Sequence, residues 1–170
     1  MPRRNDFLVE TQATARGVVV GQPGWEQQLE NNKREAAERW TRRQDFRDRF
    51  EHLSNRGFVG QLFQNVGVNP TELEREDMIH RLDSGLESRG SVLRRIAENA
   101  EFSRRESNSA FVLMQYFGYL HRNPDEGPDS DLSGFNFWLN KLNEHHGEFH
   151  EAEMVKAFLR AGEYRHRFDW

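Results

Sequence analysis

The acidic segment from Asp125 to Gly134 has the residue types of a metal site. Side chains that carry oxygen recur at alternate positions before a glycine, as at the start of an EF-hand calcium loop. The candidate calcium ligands are Asp125, Asp129, Asp131 and Ser133. If the loop begins at Asp129, its twelfth position is Asn140, where calcium loops carry a bidentate glutamate. The incomplete ligand set favours the alternative, in which Asp131 or Ser133 caps the following helix.

A second candidate metal site is formed by His145, His146 and His150. His146 and His150 are four residues apart, a spacing that places two ligands on one helix face. However, Gly147 lies between them and predicts a helix boundary, and the sequence has no His-Glu-x-x-His motif. This arrangement of histidines therefore favours a solvent-exposed junction between helices over the metal site of an enzyme.

No further set of residues predicts catalysis. The sequence has no cysteine, which excludes disulfides, thiol nucleophiles and thiolate metal sites. It also has no Gly-x-Ser-x-Gly motif and no glycine-rich phosphate loop. We therefore expect a protein that is not an enzyme and has no cofactor, apart from the possible calcium ion.

The composition predicts a folded chain. Of the 170 residues, 31% are charged and 35% hydrophobic, a balance that leans toward disorder. The 12% of aromatic residues outweigh this, because each aromatic side chain buries a large area.

The net charge of -4 is spread over alternating Glu and Arg, so we expect no nucleic-acid partner. No apolar run has the length of a membrane span, and the first residues do not resemble a signal peptide.

The spacing of apolar residues predicts an all-α chain. Residues 1–22 predict no long helix, and helical periodicity begins after Pro23 and Gly24. Ser54 or Asn55 is a candidate N-cap of the helix that Gly67 is expected to end, and Thr71 with Glu74 forms a capping box. The predicted helices contain Trp25 to Trp40, Phe46 to Phe50, Phe58 to Val66, Leu73 to Leu82, Val92 to Phe102, Phe111 to Leu120, Phe135 to Leu142 and Met154 to Tyr164.

Internal similarity predicts an array of about two and a half helical repeat units. The apolar pairs and the Asn-Pro break of residues 58–70 correspond to those of residues 111–124. A spacing of six between apolar residues occurs three times, in Trp40 and Phe46, Ile96 and Phe102, and Phe158 and Tyr164. The predicted segments are 1–53, an N-terminal extension with the second half of a truncated unit; 54–106, a degenerate unit; and 107–170, a complete unit.

These motifs resemble a known bacterial family. The pattern is Phe111-Val112, Tyr116, Arg122-Asn123-Pro124-Asp125, Gly134 and Trp138, followed by Ala157-Phe158 and Glu163-Tyr164-Arg165-His166-Arg167-Phe168. It resembles the helical repeat called domain of unknown function 4214 over residues 101–168, and in a degenerate form over 54–106. Residues 18–50 look like the tail of an upstream unit in long secreted acidobacterial proteins. The closing motif is also similar to phycobilisome linker domains, which are helical scaffolding modules.

The resemblance implies export or display at the cell surface, without an established reaction or catalytic residues. We therefore predict a non-catalytic protein–protein interaction or scaffolding module of a secreted or cell-surface bacterial protein. The alternative is a calcium-stabilised carbohydrate-binding or adhesion module that uses the loop 125–134. Candidate interaction residues are Trp25, Trp40 and Trp170. The truncated first unit exposes an apolar face near the first two of these unless residues 1–22 or a second copy cover it, so self-association is expected.

Overall fold

The computed structural model describes residues 1–127 and 130–168. Over these residues the chain is all-α, as predicted, and has no strand. Asp129 and Trp170 lie outside the described residues. The helices are α1 (Arg4–Ala15), α2 (Trp25–Thr41), α3 (Gln44–Phe50), α4 (Asn55–Val66), α5 (Glu72–Asp83), α6 (Arg89–Ala97), α7 (Ala100–Gln115), which continues as a π-helical segment (Tyr116–Leu120), α8 (Ser133–Glu144), α9 (Met154–Arg160) and α10 (Gly162–Arg165).

The helices form two compact units, each with its own core. The N-terminal unit comprises residues 8–103, and the C-terminal unit comprises residues 1–7 and 104–170. The N-terminal core contains Phe50, Phe58, Val59, Leu62, Phe63, Val68, Met78, Ile79, Leu82, Val92 and Ile96. The C-terminal core contains Val112, Leu113, Tyr116, Phe117, Phe135, Leu142, Ala152, Met154 and Phe158.

The predicted division into segments 1–53, 54–106 and 107–170, with its repeat units, stays a prediction. In the N-terminal unit, side chains of the first two segments share one core. Phe50 of α3 packs edge-on against Phe58 of α4, with 5.7 Å between ring centroids. The two segments are therefore stabilised together.

The capping residues predicted within the N-terminal unit are confirmed. The Ser54 side chain accepts a hydrogen bond from the Gly57 N–H at the start of α4. Thr71 and Glu74 form the reciprocal capping box of α5. Gly67 ends α4 with a φ of 62°, a left-handed conformation that glycine adopts without a steric penalty.

The prediction that residues 1–22 form no long helix is wrong, because they contain α1. The α1 helix has no fully buried residue, so its apolar pattern gives no periodic signal. Its first N–H groups are capped by a distant side chain, since the Arg4 N–H donates to Asn123 Oδ1 at 2.7 Å. At its other end, the Asn32 side chain donates to the carbonyl oxygens of Thr14 and Arg16, each at 2.8 Å. These caps come from residues far along the chain, which local sequence patterns do not reveal.

Within the N-terminal unit, α2 packs along α6, and the two helices are joined by polar contacts. Arg94 of α6 contacts Glu30 of α2 at 2.5 Å. Gly90 lies against the Glu38 carboxylate, where an added Cβ would be 2.6 Å from Oε1. The buried residue of α2 is Asn32, which is polar. The spacing of apolar residues in α2 therefore predicted the helix, but not that its buried residue is a polar one that bonds to the Thr14 and Arg16 carbonyls.

Two of the three pairs spaced by six residues were assigned to single helices, and this is wrong. Ile96 lies at the end of α6 and Phe102 in α7, because the Asn99 side chain accepts hydrogen bonds from the Glu101 and Phe102 N–H groups and begins a new helix. Phe158 lies in α9 and Tyr164 in α10, separated by the extended Ala161. Each pair, like Trp40 and Phe46, thus spans a break between two helices.

Candidate functional site

The described candidates for calcium ligation already have partners within the chain. Both carboxylate oxygens of Asp125 accept from Arg3 Nη1, at 2.6 and 2.7 Å, and this pairing holds the pKa of Asp125 below its usual range. Asp131 Oδ1 accepts from the Ser133 backbone N–H at 3.0 Å. Hydrogen bonds from the Ser133 side chain and backbone hold the pKa of Asp131 low. Asp131 thus accepts a hydrogen bond from the first residue of α8, but the N-cap position is Leu132, which forms no side-chain cap, so neither Asp131 nor Ser133 is the N-cap of this helix.

The structure does not bring a metal-ligand set together in the part it describes. Over residues 1–127 and 130–168, no group of three or more His, Cys, Asp or Glu side chains could hold a metal ion. His145 faces Glu151 at 3.6 Å, and His150 stacks on Phe149 with 4.0 Å between ring centroids. The α8 helix ends before His145, so the predicted helix face that carries two histidines is not formed. Because Asp129 lies outside the described residues, calcium binding by the loop stays a prediction.

Thermal melting separates the two interpretations of the acidic loop. We expect no change in the melting midpoint between millimolar calcium and chelator, because Arg3 already neutralises Asp125 and Asp131 already accepts from Ser133. A ligand that binds only the folded state must raise the midpoint. A rise with calcium that magnesium at the same concentration does not reproduce would instead support the calcium-stabilised module.

The loop of residues 121–127 is held by Arg122. Its Nε and Nη2 donate to the two carboxylate oxygens of Glu163 at 2.7 and 3.0 Å. Its Nη1 donates to the carbonyl oxygens of Asn123 and Glu126, at 3.2 and 2.5 Å. The guanidinium carbon lies 5.2 Å from the ring centroid of Tyr116, and the side chain is only 12% exposed. A single arginine therefore ties the loop to α10 and to the π-helical segment.

Asn123 organises the same loop from the other side. Its N–H and its side-chain Nδ2 donate to the carboxylate of Glu126, at 3.0 and 2.7 Å, and these bonds hold the pKa of Glu126 low. Gly127 closes the turn with a φ of 81°, and an added Cβ there would lie 3.2 Å from Arg122 Nε. The loop is therefore held in place by hydrogen bonds from its own side chains.

A cleft of about 210 Å³ lies beside this loop, between the π-helical segment, α8 and α9. Most of its lining belongs to the motif residues singled out in the sequence. The lining residues are Tyr116, Leu120, Arg122, Gly134, Trp138, Ala157, Phe158, Ala161 and Glu163. Phe158 packs between Tyr116 and Trp138, with ring centroids at 5.2 and 5.7 Å. The motif residues thus form one wall of packed aromatic rings with an arginine–carboxylate pair beside it.

An aromatic surface, defined here as Phe137, Trp138 and Lys141, borders the cleft on α8. The side chain of Phe137 is 57% exposed and contacts Trp138 edge-on, with ring centroids 5.1 Å apart. Lys141 Nζ lies 5.5 Å from the Trp138 ring centroid. Phe137 was not among the candidate interaction residues predicted from the sequence. Helical spacing could have identified it, because Phe137 falls outside the buried stripe that contains Phe135 and Leu142.

The predicted interaction residues have different environments. Trp25 is half-buried, and Trp40 is 39% exposed with the Arg43 guanidinium 4.3 Å from its ring centroid. The residues that precede α2 cover part of that helix, because Asn32 bonds to the Arg16 carbonyl. An interaction role of Trp25, Trp40 and Trp170 stays a prediction. In the part of the chain that is described, no helix is both long and apolar enough to span a membrane.

Comparison with known proteins gives one family match. No curated protein and no solved structure matches the chain. The match to a family covers α7 to Phe168 and includes Arg122, Glu163 and the whole aromatic surface. Residues 94–168, less than half of the chain, match the family described as Domain of unknown function (DUF4214), which supports a domain of that family in this part of the chain.

Proposed function

We propose that this chain is a non-catalytic module for protein–protein interaction or scaffolding, which binds its partner through exposed helix faces. The observation that supports this most directly is Phe137, whose ring is 57% exposed beside Trp138. The resemblance in the closing motifs adds the proposal that the module belongs to a secreted or cell-surface bacterial protein.

The aromatic surface has the chemistry of a contact site. Covering the exposed part of one phenylalanine ring contributes about 1 to 2 kcal/mol to binding, a share of the gain from burying a whole phenylalanine side chain. Aromatic residues are enriched among the side chains that dominate binding energy. Lys141 places a cation over the Trp138 ring, and such a charged group suits the polar rim that surrounds the apolar centre of an interface.

The surroundings of the aromatic surface are rigid, which reduces the entropy lost on binding. Trp138 is fixed by Phe158, and Phe158 in turn by Tyr116 of the π-helical segment. Arg122 fixes that segment to α10 through Glu163. A partner therefore meets a surface that is already arranged, and less of its contact energy is spent on ordering side chains.

Self-association tests this proposal, because a second copy of the chain carries the same aromatic surface and can act as the partner. Replacing Phe137 with alanine removes the exposed ring from that surface. We expect light scattering over a concentration series to show masses above the 20.1 kDa of one chain. Phe137→Ala should shift association to concentrations about 10-fold higher, since each 1.4 kcal/mol changes a dissociation constant tenfold.

The matched control is Leu73→Ala on α5, an apolar residue that is 81% exposed in the N-terminal unit. It should leave the association unchanged. If the full chain and a variant lacking residues 1–22 both remain monomeric at every concentration, self-association is rejected. If Leu73→Ala weakens association as much as Phe137→Ala, the aromatic surface is not the contact site.

A further inference from the structure

The segment Arg3–Phe7 belongs to the C-terminal unit, although the residues that it contacts there are more than a hundred positions away in sequence. Arg3 Nη1 contacts both carboxylate oxygens of Asp125, at 2.6 and 2.7 Å. The Arg4 N–H donates to Asn123 Oδ1 at 2.7 Å. A carboxylate thus binds the first side chain of the segment, and an amide oxygen caps the start of its helix.

The next contacts fix the orientation of the segment. Arg4 Nε donates to the Phe117 carbonyl oxygen at 3.2 Å, near the end of the π-helical segment, where terminal carbonyls lack partners within the helix. The Phe7 ring packs against the Phe117 ring, with centroids 5.3 Å apart. We name Phe117, Asn123 and Asp125 the docking site.

The docking site recognises a short sequence at the start of a helix. Asp125 requires a cation, Asn123 requires a free N–H of a first helical turn, and the Phe117 ring requires an apolar side chain one turn later. The sequence Arg3-Arg4-x-x-Phe7 meets all three requirements. These contacts involve no residue of the N-terminal unit, so any copy of the segment satisfies them.

The segment is attached in a way that allows exchange between chains. The α1 helix has no fully buried residue, so its release exposes little apolar surface. The Arg3 side chain is 55% exposed. Three glycines with positive φ, Gly17, Gly21 and Gly24, lie between α1 and α2, and glycine lets a released connection adopt many conformations. Exchange of an identical element between copies is a low-cost route to a dimer.

We propose that the docking site of one chain binds residues 3–7 of a second copy, so that two chains exchange their N-terminal segments. In the exchanged pair, each docking site makes the same contacts as in the single chain, but residues 3–7 of the other chain supply them. This inference rests on the proposed function and names a segment of the partner. It is independent of the aromatic surface, so the two can be tested separately.

Reversing one charge in each of two chains tests the exchange. The variants are Arg3→Glu and Asp125→Arg. The first places two negative charges at the docking site of its own chain, and the second places two positive charges there. An equimolar mixture has complementary charges only if the segments exchange. Both variants also carry Phe137→Ala, which removes association through the aromatic surface. In that background we expect the mixture to form a species of twice 20.1 kDa, and each variant alone to remain smaller. The double variant Arg3→Glu/Asp125→Arg is the control, because it restores the pair within one chain and should behave as the parent chain does.

Cross-linking gives a second measurement that does not depend on charge reversal. The chain has no cysteine, so Arg3→Cys in one chain and Asp125→Cys in another introduce unique thiols. A short bis-maleimide should join these two chains several-fold faster than it joins Arg3→Cys to a Leu73→Cys control chain. A mixture of charge variants that stays at the mass of one chain, or cross-linking no faster than the control, overturns the exchange. If native self-association persists and remains sensitive to Phe137→Ala, the proposed function survives that outcome.

Discussion

Replacing Arg122 with alanine is expected to lower the free energy of unfolding of the C-terminal unit by about 2 to 4 kcal/mol, because several hydrogen bonds of a charged side chain that is only 12% exposed are lost together. The change removes two hydrogen bonds to Glu163 and two to loop carbonyls. It also removes the contact with the Tyr116 ring. Scanning calorimetry should show a melting midpoint lower by about 10 °C or more for a unit of this size.

Two further variants separate charge from geometry at this site. Arg122→Lys keeps the charge but cannot bind both oxygens of Glu163 and two carbonyls at once, so it should recover little of the loss. Arg160→Ala removes an exposed arginine of α9 and should leave the midpoint within about 2 °C, since exposed charges contribute little to stability. Full recovery by lysine would contradict the importance of the guanidinium geometry.

Hydrogen exchange locates the effect of the Arg122 variant within the chain. Faster exchange should appear in residues 121–127 and in α10, which Arg122 joins. The same change should weaken the association that depends on Phe137, because the wall of aromatic rings loses its attachment to the loop. An Arg122→Ala chain that is destabilised but associates normally would show that the aromatic surface does not need this support.

Replacing Phe58 with alanine is expected to lower the free energy of unfolding of the N-terminal unit by about 3 to 5 kcal/mol, as for other large-to-small changes of buried aromatic residues. Phe58 has no exposed surface. Its ring contacts Phe46 and Phe50, with centroids at 6.1 and 5.7 Å. The Arg89 guanidinium lies 4.7 Å from its centroid while donating to the carbonyl oxygens of Phe50 and Leu53.

Denaturant unfolding of this variant should be compared with that of Phe137→Ala, which removes the same side chain from an exposed position. Phe137→Ala should change the free energy of unfolding by less than about 0.5 kcal/mol, the usual range for surface substitutions. Hydrogen exchange in the Phe58 variant should increase in α3, α4 and α6. If both variants lowered the free energy of unfolding equally, the result would contradict the assignment of Phe58 as buried and Phe137 as exposed.

The sequence by itself determined most of the helices and the residues that cap them. Ser54, Gly67 and the pair Thr71–Glu74 act within a few residues of themselves, so their roles could be read from local spacing. The apolar stripe of α8 was likewise visible, since Phe135 and Leu142 recur with the helical period and are buried. The aromatic side chains of the C-terminal motif were identified in the same way, although not the cleft that they line.

Only the tertiary structure decided the side-chain partners and the boundaries that depend on them. Asp125 was a candidate calcium ligand in the sequence, and the structure pairs it with Arg3, 122 positions away. Asn32 is the buried residue of α2 because it caps two carbonyls at the end of α1. These outcomes depend on which helix ends meet in the folded chain. Local periodicity reports which face of a helix is buried, but it carries no information about the residue that a polar side chain meets across that face.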